Sequence, residues 1–148
     1  MILLISTFSL AMGMWNYHTL AYAVHEATRY VSVKGKNCTL PGNTCAVSVG
    51  TIAQKIGTLG IGLPADKVNI TLTTNSGAVT TCAPLNSCYS NTTIWPPGTN
   101  HDNQVGNNIT IAGKYQFQSV MLFFWPGTSS KSLGAVWLPA TSTQTILF

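Results

Sequence analysis

Charge is what this sequence has least of. Seven Lys and Arg and three Asp and Glu are spread over 148 residues, for a net charge of +4, and the surface is left to Thr, Asn, Ser, Gly and Gln. Three acids and three histidines give little material for an acid, a base and a nucleophile converging on one point. His25-Glu26 begins a zinc-protease helix pattern, but Arg29 stands where the second histidine ligand must be, so that pattern fails. His18 and His25 are seven residues apart on one helical face with Tyr22 and Arg29, a stripe suited to packing or solvent more than to a metal. His101-Asp102 falls in a loop with no nucleophile that the sequence places beside it. The reading excludes a catalytic, cofactor or metal site and a small-molecule substrate. Nucleic acid is excluded as a partner too, because Arg29, Lys34, Lys36, Lys55, Lys67, Lys114 and Lys131 are scattered and form no basic patch interleaved with aromatics.

The same scarcity marks the start of the chain. Met1 to His25 contains no charged residue, and Ile2 to Trp15 is apolar apart from Ser6, Thr7, Ser9 and Gly13. Such a run prefers lipid or a signal-peptide channel. Beyond it Leu20, Val24, Ala27 and Val31 fall at i, i+4, i+7 and i+11, an amphipathic period. One helix, apolar and then amphipathic, is predicted to run to within a few residues of Lys34, with Gly35 taking the left-handed conformation that closes it. Its length of roughly 50 Å exceeds the ~30 Å of a bilayer core, so part of it must pack on protein. The strictly apolar run covers only about 21 Å, so a span must continue towards Ala23 or begin upstream of Met1. The competing reading is a signal peptide, with Ala21-Tyr22-Ala23 as its cleavage site.

Cysteine is scarce but paired. Cys38 with Cys45 and Cys82 with Cys88 each sit in turn-rich sequence, which predicts two local disulfides and a domain in the periplasm or outside the cell. Five and six intervening residues do not suit a four-thiolate zinc site. Arg29, Lys34 and Lys36 beyond the apolar run argue for the opposite topology by the positive-inside tendency, but whole domains translocate largely regardless of local charge.

The remainder, residues 36–148, reads as one domain following the helix of residues 1–35. A second helix is predicted from Ala46 to Leu59. Val68, Ile70 and Leu72 then alternate with polar residues, as do Ile109, Ile111, Tyr115 and Phe117, predicting half-buried strands. Gly113 leaves a gap in the apolar face of the second, which implies a bulge or a close backbone approach. Gly134 to Leu138 and Thr141 to Phe148 read as two further strands broken at Pro139. Cys82 to Gly106 reads as a long surface loop and as the place to look for specificity. The fold class is α+β, a long helix and a short one on an antiparallel sheet.

The run NYHTLAYAVHEATRYVSVKG, Asn16 to Gly35, resembles the helix of TadE-like and TadG-like pilus-assembly proteins. In that family an apolar helix leads into a "tLxxAvrEgaRYasv.G" pattern, here Leu20, Ala23, Val24, Glu26, Ala27, Arg29, Tyr30, Val33 and Gly35. The Gly-Leu-Pro turn before VNITLT, then NNITIAGKYQFQSV and LGAVWLPATSTQTILF, resemble the family's closing order. The resemblance implies a pilin-like fold and a non-enzymatic minor-pilin-like or pseudopilin-like subunit of a bacterial tight-adherence secretion system, processed by a prepilin peptidase. It further implies an inner-membrane anchor, other pilin-like or Tad assembly subunits as partners, and Glu26, Arg29 and Tyr30 fixing the helix on the domain. Family members carry upstream a basic leader, a cleavage glycine and a nearby glutamate. None precedes Met1, which leaves an internal start or a related protein that is merely anchored. The alternative function is a secreted, disulfide-clamped binding or adhesin domain released after Ala23.

Overall fold

The computed structural model describes residues 2–38, 45, 47–118 and 135–148. Helix α1 runs unbroken over Ile2–Ser32, about 46 Å at helical rise. Helix α2 covers Val49–Leu59, and the strands are β1 (Val68–Thr73), β2 (Val79–Cys82), β3 (Asn108–Gln118) and β4 (Ala135–Thr145). The four strands form one antiparallel sheet in the order β2-β1-β3-β4. Helices cover one face of it, so the fold is α+β.

The alternation of β1 and β3 reflects this one-sided cover. Val68, Ile70, Leu72, Ile109, Ile111 and Tyr115 are buried beneath the helices, while Asn69, Thr71, Thr110 and Lys114 face away. Gly113 makes no bulge, since the ladder runs through it in register with Ile70 and Ala140. It lets α1 come close: a Cβ there would lie 2.8 Å from Val24 Cγ2 and 3.3 Å from Leu20 Cδ1.

Several expectations are corrected. Helix α2 starts at Val49, not Ala46, because Ser48 caps it: its hydroxyl accepts from the Thr51 amide at 3.1 Å. The two strands expected around Pro139 are one strand, β4. Pro139 is tolerated because β4 is an edge of the sheet, where a missing N–H costs no ladder bond. Gly134, the expected start of the first of them, lies outside the described residues. Strand β2 was not expected; it pairs with β1 through a turn in which Gly77 has φ +84°.

The segment from Cys82 to Gly106 is not a surface loop throughout. Leu85, Cys88, Trp95 and Asp102 within it are buried. It also serves the start of α2, whose orphan amides need acceptors. Val49 N donates to Thr93 O at 2.9 Å and Gly50 N to Asn91 O at 2.8 Å, while Trp95 N donates back to Val47 O at 2.8 Å.

Candidate assembly surface on the long helix

The stripe of α1 that faces the domain can be followed along most of its length. Leu20, Val24, Ala27 and Val31 are fully buried, with Ala23 and Thr28 beside them. Thr28 offsets its polar group by donating to the Val24 carbonyl at 2.7 Å. Towards the N-terminus the same stripe continues as Asn16, Gly13 and Ser9, small or polar residues, with Asn16 and Ser9 buried and a Gly13 Cβ position 3.6 Å from Phe117. The large apolar side chains of this half point the other way. Leu3, Leu4 and Leu10 are 80%, 75% and 69% exposed, and Phe8, Met14 and Trp15 are exposed as well.

The upper half of α1 is thus built in reverse, with small residues towards the protein and large apolar ones towards the surroundings. Its few hydroxyls do not spoil that surface. Ser6 Oγ donates to Leu3 O at 2.9 Å, and Thr7 Oγ1 reaches Leu3 O and Leu4 O at 3.0 Å. These bonds satisfy the groups within the helix, which an apolar environment requires. By length and hydropathy, no helix among the described residues is long and apolar enough to cross a membrane. The apolar surface is nevertheless far larger than isolated exposed leucines would make.

The C-terminal end of α1 is locked by residues distant in sequence. Ser32 O accepts from Leu147 N at 2.9 Å, and Lys36 N donates to Asn103 O at 2.9 Å. Gly35 lies where these segments meet, but not in the left-handed conformation expected of it, since the positive-φ glycines are Gly62, Gly77 and Gly106. Its role is room: a Cβ would collide with the Phe148 carbonyl oxygen and the Ile146 side chain. Tyr30 is half-buried, with Lys34 Nζ 4.8 Å and Lys55 Nζ 4.6 Å from its ring centroid, so it joins α1 to α2. Glu26 and Arg29 approach to only 4.0 Å, and the Arg29 side chain is 71% exposed. Such an exposed pair contributes little by itself.

Of the cysteines, Cys82 and Cys88 form a disulfide with a Cα separation of 5.7 Å. Cys38 and Cys45 do not, which corrects the second expected bridge. The Cys45 thiol lies against the Cys38 carbonyl oxygen. Its pKa is pushed up, first by hydrogen bonding to Cys38 and then by burial and the Cys38 thiol, against a smaller lowering by Lys34. The whole loop between them, 39–44, lies outside the described residues.

The remaining ionisable groups are dispersed. Asp102 is buried and accepts from Ser76 N at 2.9 Å and Ser76 Oγ at 2.5 Å, pinning the β1–β2 turn. Burial would raise its pKa, but the bonds from Ser76 and Thr74 outweigh it and hold the carboxyl below its ordinary value. Its neighbour His101 is exposed, and His25 Nδ1 lies 3.4 Å from Ser142 Oγ across the helix–sheet contact. Among the described residues no three His, Cys, Asp or Glu cluster as a metal site would require. The Asp102–Ser76 bond was missed in the sequence, although the Asn75-Ser76-Gly77 turn signal marked the hairpin it holds. Compared with protein-family models, curated proteins and solved structures, the chain matches none of them.

Proposed function

We propose that this protein is a non-enzymatic, pilin-like subunit of a Tad-type pilus or secretion assembly, held at the inner membrane by the upper half of α1 with its sheet domain on the far side. One observation carries the reading: α1 is continuous, yet its lower half is the core of the domain while its upper half turns large apolar side chains away from that domain. A helix with that division of faces needs two surroundings. The protein's own sheet supplies one, and lipid or the equivalent helices of neighbouring subunits supply the other. The Ile2–Trp15 segment reaches about 21 Å into a hydrocarbon layer of ~30 Å, and the hydroxyls of Ser6 and Thr7 are satisfied within the helix. The Cys82–Cys88 disulfide agrees with an oxidising compartment for the domain. The resemblance of Asn16–Gly35 to the TadE-like and TadG-like helix supplies the specific assembly.

Fractionation of cells expressing the full chain tests this. The protein is expected with the membranes, and Leu10→Arg is expected to release much of it, because a basic residue near the middle of an inserted helix costs about 2.5–3.5 kcal/mol. A His25→Ala/His101→Ala variant should stay membrane-bound and keep its contribution to piliation. Wild-type protein found entirely in the soluble fraction, or a Leu10→Arg protein that still partitions with membranes, refutes the anchored reading. A released, mature domain beginning after Ala23 would favour the secreted binding protein.

A further inference from the structure

The face of the sheet opposite the helices carries a second kind of surface. Asn69, Lys114 and Pro139 stand in one row across β1, β3 and β4, directly paired in the ladder. Trp137 lies two residues before Pro139 on the same face of β4, since Leu138 and Ala140 between and beyond them turn towards the core. These four side chains line an open hollow of about 500 Å³, within the range of ligand clefts. Trp137 is 46% exposed at the sheet edge.

The surroundings of this hollow are hydroxyl and amide groups. Thr71, Thr73, Ala112, Gln116, Thr141 and Thr143 share the face by register, and Thr110 Oγ1 bonds Thr143 Oγ1 at 2.8 Å. Lys114 supplies the ammonium that lines the hollow, and Lys67 Nζ bonds Gln118 Oε1 at 3.5 Å. No acid opposes them. The chain has three: Glu26 is on α1 and Asp102 is buried under Ser76. Asp66 stands close enough to the inward-facing Tyr115 to add to the effect of burial in pushing that phenol up.

We infer that this hollow binds a carboxylated sugar of an acidic polysaccharide, stacked on Trp137 and held by Lys114 and Asn69. An indole face is the negative side of an aromatic quadrupole and attracts the polarised C–H face of a pyranose ring. The Asn69 amide can donate to and accept from ring hydroxyls, and the Lys114 ammonium pairs with a carboxylate without competition from a protein acid. A sheet held by its ladder presents these groups in a fixed arrangement, which keeps the ordering cost of binding low. The site is independent of the anchoring role of α1.

Calorimetric titration of the purified full chain with trigalacturonate, and in parallel with neutral galactotriose, tests the assignment. Trigalacturonate should bind, more weakly as salt is raised. Lys114→Gln should weaken it roughly tenfold or more while leaving galactotriose unaffected, because only the charged bond is lost. Trp137→Ala should remove binding of both, and Trp137→Phe should retain part of it. Both positions are exposed, and circular dichroism of the variants confirms that they remain folded. No binding of trigalacturonate by the wild-type chain, or binding that survives Trp137→Ala in a folded protein, overturns the inference. Binding that depends on Trp137 but is equal for the two sugars in wild type and in Lys114→Gln overturns the acidic specificity.

Discussion

The two halves of α1 share one backbone geometry and obey opposite rules. From Tyr17 to Ser32 the residues turned to the domain are mostly apolar, with Thr28 and Ser32 among them, and the outward positions hold Tyr22, His25 and Arg29. From Ile2 to Trp15 the residues turned to the domain are Ser9 and Gly13, and the outward positions hold Leu, Phe, Met and Trp. A helix does not determine which of its faces is to be buried; its surroundings do. The lower half is explained by a sheet that is present in the same molecule, and the upper half calls for a partner of another kind.

The sharpest way to break this comparison is to place the same charge in both halves. Val24→Asp in the detergent-solubilised full chain should cost about 3–5 kcal/mol in urea unfolding, because the carboxylate enters a dry contact with the sheet and finds no cation there. Leu10→Asp should leave the domain within about 0.5 kcal/mol of wild type, since that side chain touches little of it. Equal losses at the two sites would show that both halves pack on the domain alike.

A middle-sized effect concerns how the end of the lower half is kept in place. The hydrogen bonds of Asp102 hold the β1–β2 turn, and Asp102→Ala should cost about 1–3 kcal/mol by leaving the Ser76 donors without their acceptor. Because the folded carboxyl titrates below its unfolded value of about 3.9, its contribution is present above that pH and is lost as the pH falls through the folded value. Wild type should therefore lose stability below about pH 4 more steeply than Asp102→Asn, as read from urea midpoints across the acid range. Identical slopes would mean that Ser76 does not hold the charge. The smallest expected effect is Arg29→Ala, below about 0.5 kcal/mol, since a 4.0 Å pair on an exposed face contributes little. A loss of more than about 1 kcal/mol would show that Arg29 clamps the helix after all.

How much of this was legible depended on the range of the signal. The lower-half stripe and the alternation of VNITLT and NITIAGKYQFQ are local periods imposed by one buried face, and both could be counted from the residues alone. Strand β2 could not, because it has only four residues and a single buried position, Cys82, too short a record for a period of two. Pro139 was given the force of a strand break; it is accommodated because β4 is an edge, a fact of topology and not of sequence. Gly35 was assigned a backbone role by its place at the end of a helix, whereas its need is steric and comes from Phe148 and Ile146 at the other end of the chain. The candidate surface was likewise half visible: the apolar run was evident, but not that Ser9 and Gly13 would turn to the domain and set its large side chains outward.

The locking of α1 by the C-terminal strand bears on the order of events during synthesis. His25 and Ser142, in contact across the helix–sheet seam, are 117 residues apart in sequence, and β4 supplies much of what the helix rests on. At ribosomal rates of about 5–20 residues per second the lower stripe of α1 waits several seconds or more for its sheet, with Leu20, Val24 and Val31 in water or in the keeping of another surface. Contacts of such long range also make closure slow once the chain is complete. A nascent chain whose first helix is already parked in a bilayer would have that interval covered, and would be spared the aggregation to which an orphaned amphipathic helix is prone.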